Sequence, residues 1–137
     1  MDTLKFVKER DVASPTRAHE KDAGCDWYVP MDLTIEEMLE KEKITNCKIG
    51  YILNPETKYI RQIRLNPGQS VLIPTGIRVN VPDGYAMVYE NKSGIASKRS
   101  LLVGSSVVDI GYQGICHINL HNVSDKVQEI NAGDKIV

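Results

Sequence analysis

From Ser70 onward the chain reads as strand and turn throughout, and that pattern restricts its fold more than any other feature. Ser70-Val71-Leu72-Ile73 runs into Pro74-Thr75-Gly76, and Ile77-Arg78-Val79-Asn80-Val81 alternates as a strand with one buried face does. Pro82-Asp83-Gly84 turns into Tyr85-Ala86-Met87-Val88-Tyr89, and Leu101-Leu102-Val103 precedes a second turn at Gly104-Ser105-Ser106. Gly114 opens an alternating strand over 115–120, and Asn131-Ala132-Gly133-Asp134 turns into Lys135-Ile136-Val137. Asn91 to Ser100 is polar and irregular, with room for one helical turn. Many short strands separated by Gly and Pro predict an all-β sandwich or barrel.

The first half carries less of this pattern. Leu4–Lys8 reads as a first strand, Asp11–Asp22 as a polar loop and Ala23–Val29 as a second strand. One helix is expected over 34–43, because Thr34 and Glu37 form a Thr-x-x-Glu capping box before Met38 and Leu39. Glu36 and Glu37 also place negative charge in its first turn, where the helix dipole favours it. Lys48–Leu53 and Tyr59–Leu65 flank Asn54-Pro55-Glu56-Thr57, which predicts a hairpin with a four-residue turn. Roughly 33–63 is expected to be a surface insertion in a single domain spanning 1–137, since about thirty residues make a poor core of their own.

Composition excludes several classes. The 137 residues carry a formal net charge of −1, so the basic footprint of a nucleic-acid binder is missing. No apolar run approaches membrane-spanning length, and Met1-Asp2-Thr3-Leu4-Lys5 is not the start of a signal peptide. Cys25, Cys47 and Cys116 are odd in number and lack metal-ligand spacing. They are expected to be reduced thiols of a cytoplasmic protein. His117 and His121 share a strand face with Asn119 and are expected to be ordinary strand histidines.

Chemistry concentrates at Val107-Val108-Asp109-Ile110-Gly111-Tyr112-Gln113-Gly114, an acid beside a tight turn with an aromatic three residues on. A carboxylate so placed can act as general base on a water, and a ring beside it can lie against a flat sugar or base. Taken singly, Asp109 and Asp26 are better read as turn acids, Ser93 as a loop hydroxyl, Tyr112 as a core-edge aromatic and Lys92 as a solvated lysine.

Order and spacing reverse that balance for Asp109, Tyr112 and Ser93, favour a role for Asp26 in part, and leave Lys92 open between a phosphate contact and a solvated loop lysine. Ala23-Gly24-Cys25-Asp26 resembles the first motif of the trimeric dUTPases, and Lys92-Ser93-Gly94-Ile95-Ala96, after Pro74-Thr75-Gly76-Ile77 and Pro82-Asp83-Gly84-Tyr85, resembles the second. The stretch 104–114 resembles the third, and Ala132-Gly133-Asp134-Lys135-Ile136 the start of the fourth. The resemblance implies a distorted jelly-roll of the β-clip kind, a homotrimer with shared sites, Mg2+, and hydrolysis of dUTP to dUMP and pyrophosphate. It assigns Asp109 as the general base for water attack on the α-phosphorus and Tyr112 as the support beneath the deoxyribose. Val108, Ile115 and His117 fall on the hairpin that would read uracil through backbone groups. Lys92, Ser93 and Gly94 would hold phosphate, and Asp26 would hold Mg2+ through water. The segment at 33–63 is of the kind that viral and phage members carry.

Three departures matter. Lys92 stands where the family has Arg, replacing a planar fork by a point charge. Ser106 replaces a Gly, and would be strained if that position needs positive φ. The sequence stops at Val137, inside a strand pattern and before the Gln of the fourth motif and the glycine-rich fifth. A chain shortened there is expected to close poorly over the nucleotide. The rival reading is a dCTP deaminase of the same fold, but that chemistry needs a Glu where this sequence has Asn119. A non-catalytic relative, docking a nucleotide or a protein partner through 33–63, is a third.

Overall fold

The computed structural model describes residues 3–21 and 24–137, so Asp22 and Ala23, at the edge of the first motif, lie outside it. The described elements run β1 (Lys5–Lys8), α1 (Ile35–Thr45), β2 (Gly50–Leu53), β3 (Ile60–Leu65), β4 (Ser70–Pro74) and β5 (Ile77–Asn80). They continue with β6 (Met87–Val88), α2 (Ser93–Arg99), β7 (Leu101–Val103), β8 (Val107–Val108), β9 (His117–Asn122) and β10 (Gln128–Asn131). All pairings are antiparallel, in four small sheets ordered β1-β5, β10-β3-β2, β4-β9-β7 and β6-β8. The fold is mostly β, as expected. No helix among the described residues is long and apolar enough to cross a membrane.

The period-2 pattern explains how the core is filled. In β9, Ile118, Leu120 and Asn122 are buried while His117, Asn119 and His121 share the other face. In β4 and β5 the buried members are Val71, Ile73, Ile77 and Val79. These pack with Trp27, Val29, Leu33, Met38, Ile130 and Ile136 into one apolar cluster that gathers residues from both ends of the sequence. Burial of such side chains from water is the main favourable term in a fold of this size.

Helix α1 starts where its capping box requires. The Glu37 N–H donates to Thr34 Oγ1 at 3.2 Å, and the Thr34 N–H donates to Glu37 Oε2 at 2.8 Å. The helix runs two residues beyond the expected end and stops at Asn46, a left-handed cap with φ 53°. Glu37 also takes part in a clamp. Arg10 donates to Glu37 Oε1 and Oε2 at 2.6 and 2.7 Å, and to Asp32 Oδ1 at 2.7 Å. Gly76 makes room for this arginine: a Cβ there would lie 2.1 Å from Arg10 Cγ, and its φ is +73°. Gly76→Ala should therefore lower the free energy of unfolding by about 2 kcal/mol or more in urea denaturation, through left-handed strain and a displaced Arg10.

Several expectations need correction. Ala23–Val29 does not form a strand: among its described residues there are only the isolated bridges Thr16–Asp26 and Tyr28–Lys135. The segment changes partner midway, from Thr16 to the 134–137 stretch, where Trp27 N–H donates to Val137 O and Val29 N–H to Asp134 O at 2.9 Å. Tyr85–Tyr89 shrinks to the two residues of β6. The irregular stretch after Asn91 instead holds α2, seven residues long, with Lys98 and Arg99 in its last turn where the dipole favours cations. The 33–63 segment is also not confined to the surface. Its hairpin forms with Asn54 Oδ1 accepting from Glu56 N and Thr57 N, but β3 is the central strand of its sheet. Ile60 and Ile63 are buried in the common core.

Candidate active site

The acidic turn is carried by a two-stranded ribbon. Met87 pairs with Val108 and Val88 with Val107, and the Tyr89 N–H donates to Ser106 O at 2.8 Å. The chain then leaves β8 into residues 109–114, where the Tyr112 N–H donates to Asp109 O at 3.0 Å and closes a turn. Tyr112 folds back, its hydroxyl donating to Ile115 O at 2.7 Å. Gly114 permits this, since a Cβ there would sit 2.6 Å from the Tyr112 hydroxyl oxygen. The result is a pocket of about 200 Å³, with Val108, Asp109, Tyr112 and His117 in its wall together with Tyr89, Ser105, Ser106 and Cys116. The Asp109 carboxylate is exposed to solvent at its mouth.

His117 has a defined protonation geometry. Its Nδ1 lies 3.0 Å from Ile115 O, and a carbonyl only accepts, so Nδ1 carries the proton. Nε2 is then a buried acceptor with no hydrogen-bond partner among the described residues. Burial, and then the Lys41 charge, hold the His117 pKa below the ordinary imidazole value. A histidine depressed in the folded state binds fewer protons than in the unfolded chain, so protonation favours unfolding. Thermal midpoints should fall as pH drops below about 6.5, the unfolded histidine value, and the fall should flatten in His117→Gln.

Tyr89 stands between this pocket and a second groove of about 510 Å³ that contains Asp26 and Lys92. Its ring meets Trp27 edge-on, with centroids 5.2 Å apart and planes at 86°. Burial, with Cys116 adding to it, pushes its phenol above the usual range. Across the groove, Asp26 Oδ1 accepts from Lys92 Nζ at 2.7 Å, and Asp26 Oδ2 lies 3.6 Å from Lys135 Nζ. The Lys92 ammonium first, and Lys135 after it, hold the Asp26 carboxyl below its usual pKa against the cost of desolvation. Ser93 and Gly94 form the exposed first turn of α2, to which the Lys92 side chain makes no capping bond.

Within one chain the expected site residues thus fall into two groups. Val108, Asp109, Tyr112 and His117 line one pocket, and Ile115 contributes the carbonyl that both Tyr112 and His117 meet. Asp26 and Lys92 belong to the groove beyond Tyr89. Ser93 and Gly94 line neither. Tyr89 carries no site role in the sequence reading, and the pairing of β6 with β8 brings it to the pocket, whereas Ser105 arrives within the third motif and Cys116 as the chain neighbour of His117. Ser106 is unstrained, because the non-glycine residues with positive φ among those described are Asn46, Lys58 and Ser100.

Asn119 has a structural role. Its Oδ1 accepts from the Ser105 N–H at 2.9 Å and its Nδ2 donates to Val71 O at 3.0 Å. Gly104 gives it space, since a Cβ there would approach Asn119 Oδ1 to 2.2 Å. Both ends of the amide are engaged by backbone, holding the turn that leads into the ribbon. As to a metal, the described residues contain no group of three or more His, Cys, Asp or Glu that could cage one. Asp26 offers a single carboxylate, paired with Lys92 and near Lys135, which suits only a cation held mainly by waters and substrate phosphates, as Mg2+ is.

Comparison with known proteins places the chain in a family. The family model described as dUTPase matches residues 56–137. The deoxyuridine 5'-triphosphate nucleotidohydrolase of Mycolicibacterium vanbaalenii is 31% identical over 138 residues, covering 98% of this chain and 70% of the relative. That of Chlamydia trachomatis is 38% identical over 76 residues, 54% of this chain and 52% of its own. This chain spans 66% and 64% of the lengths of two further mycobacterial relatives. Among solved structures, a mutant dUTPase from phage phi11 of S. aureus, studied for coordination of a structural Mg(II) ion, superposes with TM-score 0.69 at 22% identity. It is matched over 98% of this chain and 86% of its own. The EIAV dUTPase superposes with TM-score 0.65 at 19% identity, over 98% of this chain and 82% of that one. On the match over residues 56–137 and the mycobacterial identity, the chain belongs to the dUTPase family.

Proposed function

We propose that this chain hydrolyses dUTP to dUMP and pyrophosphate, with Asp109 as the base that takes a proton from the water attacking the α-phosphorus. The observation that carries this reading is the pocket at the end of the β6–β8 ribbon, where Asp109 and the folded-back ring of Tyr112 share one wall. The pocket is small enough for a pyrimidine and its sugar, with Tyr112 beneath the deoxyribose and the backbone near Val108, Ile115 and His117 reading the base. Uracil presents an acceptor at C4 where cytosine presents a donor, so a backbone N–H aimed there distinguishes them. General-base assistance of this kind is worth about 10²–10⁴-fold, and positioning supplies much of the remainder.

Lys92, Ser93 and Gly94 are the phosphate-binding residues of this reading. Asp26 would hold Mg2+ through water, and the ion when bound supplies charge neutralisation on the triphosphate. Lys92 must leave Asp26 to reach a phosphate, which makes their ion pair the resting state of the site. Because Lys92 and Asp109 lie in different cavities of one chain, the complete site is best built between copies, in a homotrimer. The exposure of Val88 (46%) and Val107 (60%) along the ribbon supports such an assembly.

Deamination is disfavoured by the bonding of Asn119, whose amide is engaged at both ends and cannot shuttle protons as a carboxylate does. Turnover in water enriched in oxygen-18 tests the chemistry. Attack at the α-phosphorus places the label in dUMP, whereas label in pyrophosphate alone would mean attack at the β-phosphorus and would remove Asp109 from its assigned role.

A further inference from the structure

The turn that carries Asp109 and Tyr112 is exposed along 109–113 and has little to hold it. Within it, the Tyr112 N–H bonds to Asp109 O, and the Tyr112 hydroxyl reaches Ile115 O. Among the described residues, one further hydrogen bond reaches it from another element: Arg78 Nη1 on β5 donates to Gln113 O at 2.5 Å. The same guanidinium is held from behind, its Nε donating to Glu9 Oε1 at 2.6 Å. Glu9 is placed by the backbone in turn, since its N–H donates to Gly76 O at 2.7 Å just past the β1–β5 pairing.

We propose that Arg78 is a positioning residue for the reaction, fixing the 109–114 turn against β5 through Gln113 O while Glu9 fixes Arg78. The planar fork suits this role because Nε and Nη1 address two acceptors at once, one on the N-terminal segment and one on the turn. A lysine offers one point charge on a flexible stem in place of the rigid fork, so it holds the two acceptors less firmly. The hydrogen bonds of Arg78 go to Gln113 O and Glu9 rather than to a group assigned to substrate, so its effect passes through the placement of Asp109 and Tyr112. A displaced base or ring costs rate steeply, with a shift of about 1 Å worth up to about 100-fold.

The kinetic part of the test rests on the dUTP reading; the exchange part does not. In the full chain, Arg78→Ala should lower kcat for dUTP by about tenfold, with Arg78→Lys recovering part of the loss. Glu9→Ala should cost less than Arg78→Ala, and nothing more when added to it, as expected for two groups acting in series. Hydrogen exchange read by NMR should show the Tyr112 amide, which donates to Asp109 O, exchanging faster in Arg78→Ala by about tenfold, with the amides of β9 unchanged. If exchange in the turn stays at the wild-type rate in folded Arg78→Ala, or rises equally in β9, the assignment is overturned. It is overturned equally if the losses from Glu9→Ala and Arg78→Ala simply add. A wild-type chain inactive on dUTP would remove the substrate reading and leave the exchange result to decide the role of Arg78.

Discussion

Asp109→Asn should leave a folded protein that hydrolyses dUTP about 10³-fold more slowly, within the range general-base removal gives. The carboxylate is exposed at the pocket mouth and makes no side-chain hydrogen bond to another described residue, so the isosteric amide costs the fold little. An amide of the same shape accepts a hydrogen bond but does not take a proton, so water is still held and no longer activated. Loss of kcat with nucleotide affinity preserved within a few-fold is the expected signature, read by steady-state kinetics beside calorimetric binding of a non-hydrolysable analogue. Equal loss of binding would point to Asp109 as a ligand-holding group, and unchanged turnover would end its assignment as base.

The second large effect is on stability. Ile63→Ala should lower the unfolding free energy by about 3 kcal/mol, as deletions from filled cores do. Ile63 is 1% exposed and stands on β3, opposite Tyr51 on one side and Ile130 on the other. Ile44→Ala is the matched control from the same stretch of sequence: Ile44 is 68% exposed on α1, and its truncation should change stability by less than about 0.5 kcal/mol. Urea denaturation of the two variants separates a segment woven into the core from one merely attached to it. Equal, small effects would mean that 33–63 is an appendage.

Local chemistry made part of this architecture legible in the sequence. Thr34 and Glu37 mark the start of α1 because a capping box is satisfied within four residues. The alternation of β9 survives because its buried face is continuous from Ile118 to Asn122. Asp109, Tyr112 and His117 share a pocket because a single turn and the strand after it bring them there. What the sequence conceals depends on distant partners. Trp27 and Val29 look like a strand interior, but they pair with residues near Val137 for too short a run. Asn119 reads as a missing acid, whereas its amide is consumed by Ser105 and Val71. Arg78 sits at a half-buried strand position, and nothing local signals that it reaches Gln113, thirty-five residues away. The division of the motif residues between two cavities is likewise invisible until β6 and β8 pair around Tyr89.

The assigned reaction is tested by incubating the chain with dUTP and with dCTP, each with Mg2+, and following pyrophosphate and ammonia together. The expected products are pyrophosphate and dUMP from dUTP, little pyrophosphate from dCTP, and no ammonia from either. Ammonia from dCTP would contradict the assigned reaction by requiring an acid–base group at C4 that the engaged amide of Asn119 does not supply. Absence of both products from a folded chain would leave the dUTPase fold standing without its activity.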